Sequence, residues 1–194
     1  MLMQIERMYY PVRTLGYGTR FGIWTIGCPR CCPNCSNPEL QKPNPDKCIE
    51  VSSILSLINQ YKEKIDGVTI TGGDPLLQAE ALRELLLGIE EVGIQDTLVY
   101  TGYTLDEIQS DYKMNRILDY IGVLIDGPYI DALNDNKSIR GSSNQHIIVL
   151  RKSLSDRYRN VDEWHRKSQT IYTDNSLYSI GIPHKSSTAE TSAV

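Results

Sequence analysis

The sequence predicts an α/β fold built on a parallel sheet, and three observations carry that reading. Short, nearly continuous apolar runs alternate with longer segments of helical periodicity, as parallel strands covered by helices do. The apolar runs are rich in β-branched residues and are bounded by Gly, Pro and Asp. The polar or glycine-rich signatures Cys28–Cys35, Gly72–Pro75, Thr101-Gly102 and Asp126-Gly127 all follow predicted strands. In parallel α/β folds such strand ends share one rim, where sites form.

The elements follow in order. RFGIWTIG (20–27) is apolar, β-branched and aromatic, and predicts a strand. A loop follows, marked by Pro29, Pro33, Asn37 and Pro38 and continued by QKPNPDK. VSSILSLINQYKEKI (51–65) places Val51, Ile54, Leu55, Ile58 and Ile65 at helical spacing, with Ser52 or Ser53 as a cap. GVTIT (67–71) predicts a strand that ends in Gly72-Gly73-Asp74-Pro75. LLQAEALRELLLGIEEVG (76–93) predicts a helix with Ala79, Leu82, Leu85 and Leu86 on one face and Gly93 at its end. DTLVYTG (96–102) and IGVLIDG (121–127) predict strands, and LDEIQSDYKMNRILDY (105–120) a helix between them. A long polar loop holding an Arg-Gly-Ser-Ser run leads to the strand HIIVL (146–150). SDRYRNVDEWHRK (155–167) reads as a charged surface helix, and TIYTD (170–174) with SLYSIGI (176–182) as a hairpin around Asn175.

At 194 residues the chain suits one domain, 1–184, with a core at about 13–150 and a C-terminal extension at 151–184. Residues 185–194 read as a disordered polar tail. The net charge is −4, and no Lys/Arg stripe is present, so charge gives no case for nucleic acid. The N-terminus has no apolar signal region, and the apolar runs are too short to span a membrane. These features predict a cytoplasmic protein, where thiols stay reduced and clustered cysteines bind metal or do chemistry.

Cys28, Cys31, Cys32 and Cys35 stand within GCPRCCPNCSNP (27–38). Two sets can be drawn through them. All four suit a tetrahedral zinc site, although structural zinc sites usually space their two ligand pairs well apart. Alternatively, Cys28-x₃-Cys32-x₂-Cys35 forms a three-thiolate set, which leaves one iron of a [4Fe–4S] cube without a protein ligand and open to a substrate or cofactor. Cys48 stands apart and is assigned no role.

The three-cysteine spacing resembles the cluster motif of the radical S-adenosylmethionine enzymes, and TGGDP (71–75) resembles that superfamily's GGEP motif, with Asp74 for Glu. LGYGTRFGIW, CSNPEL, VYTGYTLDEI, VLIDGPY and RGSSNQHII are further similar to the small activating enzymes of anaerobic ribonucleotide reductase, over about residues 13–150. The resemblance implies a partial, open (β/α)6-type barrel with parallel strands. It implies that Cys28, Cys32 and Cys35 bind a [4Fe–4S] cluster and that S-adenosylmethionine chelates the fourth iron. Reductive cleavage then gives a 5′-deoxyadenosyl radical, which abstracts a hydrogen atom from a glycine of a partner enzyme, a glycyl radical enzyme. The electron donor implied is a reduced flavodoxin or ferredoxin.

For S-adenosylmethionine the resemblance points to the Gly72, Gly73, Asp74 and Pro75 loop, to Asp126 at the ribose, and to Arg140, Ser142, Ser143 and Asn144 at the carboxylate or sugar. Asp74 also reads as a helix cap, and Asp126 as a loop cap before Gly127. Three departures stand out. Tyr100-Thr101 and Gly127-Pro128 occupy positions where formate-lyase activases carry an acidic residue and a lysine, and Asn34 replaces an aromatic residue before the third cysteine. Arg30 is a candidate contact to the cluster edge or a partner, and Cys31 has no role in the three-cysteine scheme. His146, His165 and His184 share no motif and read as structural or surface residues. Trp24 reads as core and Trp164 as packing, with a partner anchor as its other reading. Two other functions compete: a radical enzyme that modifies a peptide or small metabolite, and a non-catalytic zinc module. An open barrel is expected to leave its site for a partner to seal.

Overall fold

A computed structural model describes residues 1–173 and 176–185, so the hairpin turn at Asn175 and all of the polar tail but Lys185 lie outside the described residues. The elements are β1 (Leu2–Val12), β2 (Arg20–Thr25), β3 (Cys48–Glu50), α1 (Val51–Tyr61), β4 (Gly67–Gly72), α2 (Ala79–Glu91), β5 (Thr97–Tyr100), α3 (Leu105–Ser110), α4 (Tyr112–Asn115), β6 (Val123–Asp126), β7 (His146–Val149), β8 (Ser168–Thr173) and β9 (Ser176–Gly181). Short 3₁₀ turns join several of them.

The first seven strands form one sheet in the order β3-β1-β2-β4-β5-β6-β7. Its centre is parallel: β2 pairs with β4, β4 with β5, and β5 with β6. The α/β class and the parallel sheet are therefore present. HIIVL is a strand, but it does not extend the parallel set that the resemblance implies, because β7 runs antiparallel to β6. The physical reason is the connection. Residues 127–145 hold one 3₁₀ turn and no crossover helix, and a parallel return needs such a crossover. On the other side β1 lies antiparallel to β2, and β3 to β1. Four strands, not six, are parallel to one another.

The strand residues alternate between two cores, as the two-residue pleat requires. Phe21, Ile23, Val68, Ile70, Val99 and Leu124 face α1 and α2, where they meet Ile54, Ile58, Leu82, Leu85, Leu86 and Ile89. Each such buried side chain contributes about 1.5–3 kcal/mol. Leu98, Val123 and Ile125 face the opposite way and pack on Ile139, Leu154, Tyr158 and Val161. Residues after 150 thus cover the second face of the sheet.

Two predicted helices differ. The segment 105–120 breaks at Asp111, which is extended (φ −98°, ψ 120°) and caps a fresh turn by accepting from the Lys113 and Met114 amides. The segment 155–167 forms turns and a short 3₁₀ stretch, Val161–Glu163, in place of a surface helix. The predicted hairpin is present as β8 and β9.

Beneath the sheet a buried ion pair closes the N-terminal ends of the parallel strands. Arg20 opens β2 and is fully buried; its Nη1 lies 3.0 Å from Asp96 Oδ1, and its Nε donates to Thr69 Oγ1 at 2.6 Å. Nη2 donates to the carbonyls of Val68 (2.8 Å) and Asp96 (2.9 Å). Tyr158, from the segment after β7, donates its hydroxyl to Asp96 Oδ1 at 2.9 Å. A buried pair of charges stabilises only when its remaining hydrogen-bonding capacity is met, and here it is.

Burial pushes the Tyr158 phenol up to about 12, and the Asp96 carboxylate adds to the shift while Arg20 opposes it. The ordinary value is 10.0, so the fold favours the neutral phenol. That contribution is complete below about pH 10 and is lost as pH rises through about 12, a linkage of roughly 2–3 kcal/mol. Tyr158→Phe removes it. The urea-unfolding free energy of the variant should therefore fall less steeply over this alkaline range than that of the parent; parallel declines would refute the assignment.

Candidate functional site

The cysteine loop leaves the end of β2 and is clasped at its base. The Ile26 amide donates to Gln4 O, Gly27 N to Leu40 O at 2.7 Å, and Cys28 N to Gln41 O at 2.9 Å. Within the loop Cys31 (φ +47°) and Asn34 (φ +56°) adopt left-handed backbone, a region that side chains other than Gly occupy at a cost and Asn tolerates best. These two turns sort the cysteines. Cys28, Cys32 and Cys35 line one cavity of about 160 Å³, and Cys31 is exposed outside its lining. Cys48 is exposed at the sheet edge. All five cysteines are free thiols. Among the described residues, no three His, Cys, Asp or Glu side chains gather closely enough to hold a single metal ion.

The cavity floor comes from the C-terminal ends of the parallel strands, as the rim argument requires. Thr71, Gly72 and Gly73 reach it from β4, Tyr100, Thr101 and Gly102 from β5, and Gly127 and Tyr129 from beyond β6. Gly72 and Gly73 are glycine for a structural reason. Gly72 has φ +112°, and a Cβ there would meet Thr25 N and O at 2.4 Å; one on Gly73 would meet Gly27 O at 2.3 Å. The close approach is thus to the end of β2 and the start of the cysteine loop. Gly73 N donates to Thr25 O at 2.8 Å and Asp74 N to Gly27 O at 2.7 Å, which fixes the loop against β4.

Asp74 and Pro75 are buried and do not line the cavity. The Asp74 carboxylate accepts from Leu76 N (3.1 Å), Thr101 Oγ1 (2.9 Å) and Gly102 N (2.9 Å). It therefore caps the turn Pro75–Gln78 and ties the end of β4 to the end of β5. Burial pushes its carboxyl above the usual range, while the hydrogen bonds from Gly102 and Thr101 hold it down. Next to it Arg30 pairs with Glu107 and lies 4.6 Å from the Tyr103 ring centre. Arg30 itself lines the cavity.

The other expected ligand residues sit behind the wall. Asp126 is buried; Oδ2 accepts from Leu105 N at 2.7 Å, and Oδ1 accepts from His146 N at 3.1 Å and lies 2.9 Å from its ring Nδ1. It starts α3 and joins β6 to β7. Arg140 pairs with Asp162 (2.7 Å) and Asp135 (3.2 Å). Ser142 Oγ donates to Asn144 Oδ1 at 2.7 Å and accepts from Ile130 N at 3.1 Å, while Asn144 Nδ2 donates to Pro128 O at 2.8 Å. None of these four residues lines the cavity; Gly141 and Gln145 of the same segment do. Gln145 is the clamp, accepting from Gly141 N at 2.8 Å and donating to Gly127 O at 2.8 Å.

Several lining residues escaped the sequence reading. Gln145 and Tyr129 lie inside RGSSNQHII and VLIDGPY, where nothing local marks them off from their neighbours. Arg7 and Ser179–Ile182 had no signal, because β1 was not predicted and the hairpin was not placed. The hairpin matters most. Its strand β9 forms one side of the cavity, so the chain itself supplies part of the seal that an open barrel was expected to leave to a partner.

The family described as a 4Fe-4S single cluster domain matches residues 14–148. The anaerobic ribonucleoside-triphosphate reductase-activating protein of Escherichia coli K12 is 34% identical over 153 residues, spanning 74% of this chain and 97% of that one. A pyruvate formate-lyase-activating enzyme from Staphylococcus aureus USA300 is 32% identical over 152 residues, 73% of this chain and 59% of its own. QueE from Escherichia coli is a looser structural likeness, 20% identical with a TM-score of 0.47 over 53% of each chain, too loose to bear on the reading. The chain belongs to the 4Fe-4S single cluster domain family and, within it, to the radical S-adenosylmethionine activating proteins of the anaerobic ribonucleoside-triphosphate reductase type.

Proposed function

We propose that Cys28, Cys32 and Cys35 hold the [4Fe–4S] cluster with one iron left for S-adenosylmethionine, and that the chain installs a glycyl radical on a partner enzyme. One observation carries the ligand set: those three thiols line a single cavity beside Gly72 and Gly73, and Cys31 does not. The donor set fits the group. The thiolates of a four-iron cube each bind a different iron, so they need not converge on one point, whereas tetrahedral zinc requires four ligands that do. Among the described residues, no His, Asp or Glu lines the cavity as a fourth donor.

Cluster and S-adenosylmethionine, when bound, supply reductive cleavage of the sulfonium and the 5′-deoxyadenosyl radical that takes a hydrogen atom. The chain's own residues bind, orient and exclude. Gly72 and Gly73 bring β4 backbone to the cavity without side chains in the way. Asp74, Asp126, Arg140, Ser142 and Asn144 act as positioning residues: their side chains bond to backbone and side chains that shape the wall. Gln145 holds the loops at Gly127 and Gly141 in register, both of which line the cavity. Tight walls matter because a primary carbon radical must meet its substrate before water or a stray side chain. The printed name of the Escherichia coli relative makes an anaerobic ribonucleoside-triphosphate reductase the partner to try first. The reading also asks for a low-potential one-electron donor, a reduced flavodoxin or ferredoxin.

Anaerobic reconstitution is the test. The parent and Cys31→Ala should bind about four irons per chain and, once reduced, release 5′-deoxyadenosine from S-adenosylmethionine. Cys32→Ala should lose both. A colourless zinc protein, or cluster loss in Cys31→Ala alone, would sink the assignment. Asp74→Asn separates positioning from ligation. It turns an amide NH₂ toward donors that now meet a carboxylate, so urea stability should fall by about 1–3 kcal/mol with iron content unchanged. Loss of iron at unchanged stability would make Asp74 part of the cluster site.

A further inference from the structure

The matched family region ends at residue 148, and the hairpin that walls the cavity lies beyond it. What holds that hairpin in place is therefore a property of the extension. One edge is anchored to the N-terminal segment. Ile180 is buried among Val12, Leu15, Trp24 and Leu40, and Thr14 Oγ1 donates to its carbonyl at 3.2 Å. Gln169 clasps the same segment, donating to Pro11 O at 2.8 Å and accepting from Arg13 N at 3.2 Å.

The opposite edge depends on Arg166, which is 7% exposed. Its Nη1 donates to Asn134 Oδ1 and to Pro183 O, each at 2.9 Å, and its Nη2 to Arg140 O at 2.6 Å. Pro183 follows the cavity-lining Ile182, and Arg140 precedes the cavity-lining Gly141. One planar fork thus grips the end of the hairpin and the loop before β7 together. Asn136 adds a second stitch, accepting from Lys185 N at 2.7 Å and donating to its carbonyl at 3.2 Å. The hydrogen-bond partners of Arg166 are all neutral oxygens. Burying a guanidinium without a carboxylate on it is costly, so its retention calls for a geometric role. A lysine, a single point charge on a flexible stem, cannot span both sides.

We propose that Arg166 is a positioning residue for the radical reaction: it latches the C-terminal hairpin over the cysteine cavity, and so sets how completely the chain seals its own site. The latch rests on the activating-protein reading for its consequence, but its structural half stands apart from it. With the latch closed, Ile182 and Gly141 are both held in the cavity lining, and the radical is spent on substrate. With it open, cleavage of S-adenosylmethionine continues while hydrogen abstraction from the partner fails.

Two measurements on the full-length reconstituted protein test this, with Arg166→Met and Arg166→Lys as variants and Arg159→Met, an exposed surface arginine, as control. Amide hydrogen exchange over 176–183 should quicken about tenfold or more in Arg166→Met, with β4 unchanged, as loss of charged hydrogen bonds predicts for local opening. The 5′-deoxyadenosine released per glycyl radical formed should rise about tenfold at unchanged iron content, with Arg166→Lys close to Arg166→Met. Exchange that stays at the parental rate would overturn the latch. Faster exchange with unchanged coupling would overturn its role in the reaction. A parent that binds cluster yet cleaves no S-adenosylmethionine would overturn the functional reading, and the exchange result would still decide the latch. Should Arg166→Met not fold, the same criteria apply to Arg166→Lys, which keeps the charge and the stem.

Discussion

The carboxylate of Asp74 is the constraint on which the rim depends. Three strand ends must meet within a few ångströms to make one cavity, and strand ends are where backbone groups lose their ladder partners. Asp74 satisfies Leu76 N and Gly102 N and takes the Thr101 hydroxyl, so one buried charge serves the turn after β4 and the turn after β5. Its own amide reaches back to Gly27, next to the first cavity cysteine. Side chain and main chain of a single residue therefore connect the cysteine loop, β4 and β5. The energetic cost is visible in its raised pKa, which burial dominates. A shorter anion than Glu suits this role, because one of its donors, the Leu76 amide, sits only two residues along its own backbone.

The other end of the sheet solves a different problem. Arg20, Asp96, Thr69 and Tyr158 fill the space under the parallel strands with a network whose members are nearly all buried. In an α/β fold this face carries stability while the opposite rim carries chemistry. Tyr158 belongs to the segment after β7, so the extension reaches both faces: it plugs the bottom through Tyr158 and walls the top through β9.

The sequence was most legible where a physical pattern was local. The helix 76–93 and the strands at 20–27, 67–71, 96–102 and 121–127 follow from apolar spacing, and each is present with small shifts at its ends. The three cavity cysteines follow from spacing joined to the TGGDP motif. Legibility failed where the deciding interaction was distant. Nothing local shows that Asp111 would cap a new turn, or that 127–145 would return as a loop and reverse β7. β1 was missed because only Met3, Ile5 and Val12 of its eleven residues are buried, too few to show alternation. For the RGSSN segment a motif names residues and not directions: in the fold Arg140 pairs with Asp162, Asn144 donates to a loop carbonyl, and Gln145 donates to the Gly127 carbonyl.

The placement of those polar groups has a chemical logic. A site that generates a reactive carbon radical gains little from flexible charged side chains at its surface, since their C–H bonds and mobility invite side reactions. The cavity is instead lined by Gly72, Gly73, Gly102, Gly127 and Gly141, with ordered aromatic rings such as Tyr100, whose hydroxyl donates to Ile139 O at 2.7 Å. Apart from Arg7 and Arg30, which line the cavity, the nearby charges stand one layer back, each held by partners that orient a glycine or a loop in front of it: Asp74 behind Gly102, Arg140 beside Gly141, Asp126 before Gly127. Glycine leaves backbone open to the cavity, and the buried ionic layer supplies the rigidity that glycine lacks. The wall from β9 follows the same division, because Gly181 and Ile182 face the cavity while Arg166 holds the next residue from behind.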